Sequence, residues 1–222
     1  MNEKIGILST KKLASNQKQY LLNAAFSVID EDFISIHPIP FEIESTNDLL
    51  IFTSQNTVQN VLKYKTELIQ KPVVCVGNKT KQLLEENGFT VLNAQPEASE
   101  LIQIIEKEYW DKSFTFFCGT SRLNTIPDFL KEKNLKHNIV EVYETLETPV
   151  KIHSKMDGIL FFSPSGVSSY VKENTITTEI CFCIGNTTAK AVEAHSKNII
   201  IANQPTIENV IIQCINYYKA KS

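Results

Sequence analysis

Five short polar turns carry the residue types best suited to chemistry in this chain. They are Thr53-Ser54-Gln55-Asn56, Gly77-Asn78-Lys79-Thr80, Gly119-Thr120-Ser121-Arg122, Ser163-Pro164-Ser165-Gly166 and Gly185-Asn186-Thr187-Thr188. Each follows a short apolar run and opens a stretch of helical periodicity. Ser, Thr and Asn at such positions cap the following helix by accepting from its first N–H groups, and capping accounts for the residue types at any single turn. Several such turns together invite a second role. A helix N-terminus presents unpaired N–H groups and the positive end of the helix dipole, which favour anions. One terminus contributes only about 0.3–1 kcal/mol, so a ligand that gains much from them must carry many carboxylates or phosphates. The expected chemistry is recognition of a polyanion, largely through backbone amides.

Familiar catalytic motifs are missing. There is no G-x-G-x-x-G, no G-x-x-x-x-G-K-[ST] and no G-x-S-x-G. The run from Cys118 to Arg122 has the look of a thiolate phosphatase loop, but its arginine is too close to the cysteine to close round a phosphate.

The elements that hold the turns are legible from periodicity. Strand-like runs lie at 5–8, 33–36, 49–52, 73–76, 90–92, 114–117, 139–142, 159–162, 181–184 and 199–201. Several are apolar on both faces, as a parallel sheet covered by helices on both sides requires. Amphipathic stretches of helical period separate them, which predicts an α/β fold. An internal repeat refines this. The stretch 48–58 (Asp-Leu-Leu-Ile-Phe-Thr-Ser-Gln-Asn-Thr-Val) aligns with 157–167 (Asp-Gly-Ile-Leu-Phe-Phe-Ser-Pro-Ser-Gly-Val), 73–80 aligns with 181–188, and 93–96 with 201–205. The offset stays at 108 or 109, so the chain reads as two similar, duplicated, flavodoxin-like α/β domains with parallel sheets. The first copy continues into further strands, whereas the second ends early. Residues 1–36 supply its missing strand–helix–strand. The expected domains are therefore 1–36 with 150–222, discontinuous, and 46–138, continuous. Residues 37–45 and 139–149 are expected as linker strands that run side by side as a two-stranded β-ladder hinge. Ligands bind at the carboxyl ends of strands in open α/β sheets, so the five turns are expected to face one cleft between the domains.

Composition narrows the class. The chain has 222 residues, 42% hydrophobic and 21% charged, which is sufficient for packed cores. A net charge of −3 argues against nucleic acid as a partner. No apolar run approaches the roughly 18 residues of a membrane span, and the start of the chain lacks the form of a signal peptide, so a cytoplasmic location is expected. The five cysteines, Cys75, Cys118, Cys181, Cys183 and Cys214, form no C-x-x-C pair and read as reduced, buried thiols. His37, His137, His153 and His195 lack metal-ligand spacing, so no metal is expected.

The order of motifs is more specific than any one of them. Phe52, Thr53, Ser54, Asn56 and Val58 come first, followed by Val76, Gly77, Thr80, Leu83 and Gly88. Gly119, Arg122, Pro127 and Leu130 precede Val142, Tyr143 and Thr145. The run 162–167 (Phe-Ser-Pro-Ser-Gly-Val), then Ile184, Gly185, Thr187, Thr188 and Ala189, and finally Pro205 and Thr206, complete the series. Over residues 48–210 this order resembles that of the uroporphyrinogen-III synthase family. One departure lies after the first strand, where Thr10-Lys11-Lys12 stands in place of the family's usual Thr-Arg-Pro. Lys11 there is a point charge rather than a guanidinium fork.

The resemblance implies two α/β domains joined by a β-ladder, with the active site in the cleft, and a lyase of tetrapyrrole (haem) biosynthesis that acts as a monomer without metal or organic cofactor. Its substrate would be hydroxymethylbilane, a linear octacarboxylate, which matches the polyanion asked for above. The enzyme would expel the terminal hydroxyl as water, invert the last ring through a spiro intermediate and close the macrocycle. Tyr143 is the expected general acid toward the leaving hydroxyl. Ser54, Thr80, Ser163, Ser165, Thr187 and Thr188 would hold carboxylates with hydroxyls and adjacent N–H groups, Arg122 would make a bidentate contact, and Thr53, Gly77, Asn78, Gly119, Pro164, Gly166 and Gly185 complete the binding turns. The other readings open at this stage are a two-lobed, non-catalytic sensor of a polyanionic ligand and a catalytically dead member of the family.

Overall fold

Strand formation follows the doubly apolar runs. In a computed structural model that describes residues 4–43 and 46–220, the elements in chain order begin with β1 (Gly6–Ser9), α1 (Ser15–Asn23), β2 (Ser27–Asp30), β3 (Ile34–Pro38) and β4 (Leu49–Phe52). Next come α2 (Gln55–Val61), a 3-10 turn at Leu62–Tyr64, α3 (Lys65–Leu68), β5 (Val73–Val76), α4 (Asn78–Glu86), β6 (Val91–Gln95) and α5 (Ala98–Glu108). The remainder is β7 (Phe114–Gly119), α6 (Thr125–Glu132), β8 (His137–Glu147), β9 (Gly158–Phe161), α7 (Pro164–Glu173), β10 (Ile180–Cys183), α8 (Asn186–Glu193), β11 (Ile199–Ile201) and α9 (Ile207–Lys219).

The chain divides into two units, one of Met1–Ser35 with Leu146–Ser222 and one of Ile36–Thr145. The first holds a sheet ordered β2-β1-β9-β10-β11 and the second a sheet ordered β3-β8-β7-β4-β5-β6. All eight pairings that link β1, β2, β9, β10 and β11, and β4 to β8, are parallel. Matched by the repeat, β9, β10 and β11 occupy the places of β4, β5 and β6, while β1 and β2 occupy those of β7 and β8. Numbered in chain order within each unit, the strands run 2-1-3-4-5 across the first sheet and, leaving out β3, 5-4-1-2-3 across the second. One arrangement is thus a circular permutation of the other.

Packing repeats the correspondence. Alternate strand residues face opposite layers because the side-chain period of a strand is two. In the first unit Leu8, Ile159, Phe161 and Cys181 pack under α7 and α8, through Val167, Tyr170 and Val192. Ile7, Leu160 and Phe182 pack on the other face with Leu21 of α1 and Val210, Ile211 and Cys214 of α9. In the second unit Leu50, Phe52, Val73, Cys75 and Phe117 meet Val58, Val61 and Leu84 of α2 and α4. Leu49, Ile51, Phe114 and Phe116 meet Leu101 and Ile105 of α5 and Ile126 and Leu130 of α6. Each fully buried Leu, Ile or Phe contributes about 1.5–3 kcal/mol, so each unit has a two-sided core of its own.

The structure revises three expectations. The strand expected at 33–36 is not the partner of β1. That place belongs to β2, whose pattern Ser-Val-Ile-Asp is too short and polar-ended to stand out, while β3 lies beside β8 in the second unit's sheet. Residues 139–149 are not solely a linker, because β8 pairs with β7 from His137 to Tyr143 and so belongs to that sheet. Both unit boundaries consequently fall inside strands, at Ser35–Ile36 within β3 and at Thr145–Leu146 within β8. The expected linker 37–45 includes residues 44 and 45, which lie outside the described residues, as do residues 1–3 and 221–222 of the expected discontinuous domain.

Candidate functional site

In both units the polar turns lie at the carboxyl ends of the parallel strands. They fall into two kinds. Ser54 and Ser163 are N-caps. The Ser54 hydroxyl accepts from the Asn56 N–H at 3.2 Å, and that of Ser163 from the Gly166 N–H at 3.0 Å, with Pro164 at the first helical position. Pro164 suits that place because a first-turn N–H is unpaired in any case. These two hydroxyls therefore have a structural task already. The turns after β5 and β10 differ. Gly77 and Gly185 stand at the N-cap positions of α4 and α8, and neither helix has a side-chain cap. Asn78 and Thr187 are at these helix starts and keep accessible surface. A Cβ built on Gly185 meets nothing within 4 Å, and Gly77 takes φ +88°. Uncapped helix starts behind glycines suit an approaching anion better than the self-capped ones.

Burial separates the expected site residues further. Thr80 and Thr188 are buried, with 5% and 1% of their surface exposed, and Gly119 and Gly166 are buried as well. Thr53 and Ser165 retain accessible surface.

The turn after β7 is the most elaborate. Pairing between β7 and β8 shifts register between Cys118, opposite Glu141, and Gly119, opposite Tyr143, so Val142 is the extra residue of a bulge. Ile139 packs with the layer of α5 and α6, whereas Val140 and Val142 pack with the layer of α2 and α4. A regular strand would send Tyr143 to the side of Ile139, but the bulge re-aims it, and it packs with Val142. Its ring lies on Gly119. A Cβ there would stand 2.5 Å from Cζ and 2.9 Å from the hydroxyl oxygen of Tyr143, and the Thr120 N–H donates to the Tyr143 carbonyl at 3.0 Å. Gly119 is thus required by a close approach. Beside it the Arg122 guanidinium donates through Nη1 to Glu141 Oε1 in a short ion pair. Gly119, Arg122 and Tyr143 are the expected site residues that the fold brings together most tightly. Glu141 is an addition that sequence reasoning missed, although a lone carboxylate within the apolar run 139–142 was its visible signal. The first unit's counterpart, the turn after β1, adds buried Thr10, whose hydroxyl donates to the Leu160 carbonyl at 2.8 Å.

Other groups are unsuited to chemistry. All five cysteines are buried and unpaired. Burial pushes the Cys118 thiol up to about 11 despite the nearby Arg122, pushes Cys75, Cys181 and Cys183 up to about 12, and raises Cys214 further. Such thiols do not ionise near neutrality. A cavity of about 370 Å³ along β8 is lined by Glu42 and Glu141 among others, and those two carboxylates disfavour an anion there. Among the described residues no group of three or more His, Cys, Asp or Glu is placed to hold a metal, and no helix is long and apolar enough to cross a membrane.

Comparison with known proteins places this geometry. The family model described as "Uroporphyrinogen-III synthase HemD" matches residues 17–212. An uncharacterised protein of Rickettsia prowazekii (strain Madrid E) is 26% identical over 176 residues, which are 77% of this chain and 61% of that protein, so the chain spans less than two thirds of this relative's length. Among solved structures, uroporphyrinogen-III synthetase of Helicobacter pylori 26695 superposes with a TM-score of 0.71 at 17% identity, covering 97% of this chain and all of the other. A mutant uroporphyrinogen III synthase of the extremely thermophilic bacterium Thermus thermophilus gives 0.71 at 12% identity, covering 98% and 100%. At such identities these two likenesses establish the fold.

Proposed function

The chain belongs to the uroporphyrinogen-III synthase family, and from that premise we propose that it converts hydroxymethylbilane into uroporphyrinogen III in tetrapyrrole biosynthesis. The terminal hydroxyl would leave as water, the last ring would invert through a spiro intermediate, and the macrocycle would close, so the enzyme is a lyase. The family match over residues 17–212 is the observation that carries this reading. We further read the two sheets as permuted copies of one flavodoxin-like unit, with β3 and β8 as the two-stranded hinge.

The division of labour follows from the turns. The substrate's carboxylates are received by the uncapped starts of α4 and α8, at Gly77-Asn78 and Gly185 to Thr187, and by Arg122. Ser54, Ser163 and Ser165 contribute hydroxyls beside them, while Thr80 and Thr188 hold their turns in shape from below. Tyr143 donates its phenolic proton to the leaving hydroxyl, which departs as water. Support for that role comes from the bulge that turns this one residue onto Gly119, next to Arg122. Holding a long, flexible chain with its ends in reach supplies much of the acceleration as positioning, and keeping water from the cationic intermediate prevents its capture.

The test is product analysis. The protein is given hydroxymethylbilane, the products are oxidised, and uroporphyrin isomers I and III are separated. The bilane closes unaided to isomer I, so isomer III above that background is the expected result. Isomer I alone from folded protein overturns the reading. Tyr143→Phe should lower kcat by about 10²–10⁴-fold with little change in KM. Unchanged turnover in that variant removes Tyr143 as the acid and leaves positioning alone.

A further inference from the structure

The Arg122 side chain is 21% exposed and that of Glu141 41%, so the pair sits at the surface of the second unit's carboxyl-end rim. Arg122 Nε is buried without a hydrogen-bond partner. Its Nη1 is held by Glu141. Cys118, opposite Glu141 in the β7–β8 register, spends its weak sulfur donor on the Val140 carbonyl at 3.9 Å. A guanidinium has five donors in a planar fork, and here a single carboxylate anchors one edge of it. Nε has no partner, and the Cys118 sulfur, which also faces the guanidinium, is a weak neutral acceptor beside the carboxylate. Glu141 is itself fixed by the β7–β8 ladder, two residues before Tyr143, so it ties the guanidinium to the same strand that carries the phenol.

We propose that Glu141 is a positioning residue that holds the Arg122 fork open toward a substrate carboxylate. This rests on the synthase reading. Two physical effects of removing its charge oppose each other. Taking a negative charge away from a polyanion site tightens binding, but for a half-exposed carboxylate the gain is small, about twofold, because solvent screens it. Freeing the guanidinium lets a long side chain sample many rotamers and loses a charge-assisted contact to the ligand, about tenfold in affinity. The second effect is the larger, so the sign of the change discriminates.

The experiment compares wild type, Glu141→Gln, Arg122→Gln and the double variant, with Glu141→Asp as the conservative control, each checked for folding by circular dichroism. Turnover to isomer III is measured, and uroporphyrin I, an octacarboxylate macrocycle, is titrated as an equilibrium probe of each. Glu141→Gln is expected to raise KM, and weaken uroporphyrin I, about tenfold with kcat nearly unchanged. Glu141→Asp should recover part of that loss, and once Arg122 is already Gln, Glu141→Gln should no longer weaken binding, leaving only the small gain of about twofold from the lost charge. Tighter or unchanged binding in Glu141→Gln overturns the proposal, as does full additivity in the double variant or a loss confined to kcat. Absence of isomer III from wild type sinks the synthase reading by itself, and the uroporphyrin I titrations still decide the role of Glu141. If wild type binds no uroporphyrin I and makes no isomer III, both fail.

Discussion

At the scale of single residues, the closest steric requirement at the rim is that between Gly119 and Tyr143. Only a residue without Cβ allows the ring to lie where it does, because a methyl group would stand 2.5 Å from Cζ. Gly119→Ala is therefore expected to push the ring aside. Overpacking of this kind costs about 1–3 kcal/mol of stability, and kcat for isomer III should fall in the same direction as in Tyr143→Phe. Steady-state turnover beside a thermal melt checks this, and a variant with wild-type kcat would show that the ring position does not matter to the chemistry. The family resemblance singled out Tyr143 and Arg122, one on β8 and the other in the turn after β7. Sequence reasoning did not point to Glu141, because a glutamate in an alternating strand is ordinarily a solvated side chain, and its ion pair to Arg122 exists only once β7 and β8 are in register.

At the scale of elements, the repeat places two glycines at equivalent turns with different needs. Gly77 has φ +88°, a conformation that L side chains rarely adopt, whereas Gly185 is extended at φ −173° with open space where a Cβ would be. Gly77→Ala should lose about 1–2 kcal/mol of stability through backbone strain. Gly185→Ala should change stability by no more than about 0.5 kcal/mol, yet raise KM if substrate occupies that space. Denaturant titration paired with kinetics separates the two, and a stable Gly185→Ala variant with unaltered KM would remove the α8 start from the binding surface. Strand limits at β4 and β5 coincide with the apolar runs, since a doubly buried strand admits little else. β2 was illegible for the opposite reason: only two of its four residues are apolar, and it is a strand because β1 offers it an edge.

The whole molecule consists of two units with separate cores, one of them assembled from distant parts of the chain. Asp157 closes that discontinuous unit. Its carboxylate accepts from the Gly6 N–H at 2.7 Å across 151 residues, and its carbonyl accepts from the Tyr218 hydroxyl at 2.7 Å. Asp157→Ala leaves the buried Gly6 N–H unpaired, at about 1–3 kcal/mol. Hydrogen exchange should then quicken in β1, β9 and β10 while the amides of β4, β5 and β7 keep their protection. Equal loss throughout would mean that the two units open as one.

The α/β class, the repeat, the positions of the five turns and the family likeness all followed from local pattern, because periodicity and glycine placement reflect constraints that act within ten or so residues. What the tertiary structure alone decided was partnership across sequence distance. Which strand sits beside β1, how the permutation relates the two sheets, that β8 belongs to a sheet rather than to a linker, and that a one-residue bulge turns Tyr143 toward Gly119 all depend on register between strands. Register is a property of pairs of segments, set by packing of whole faces, and no single segment carries it.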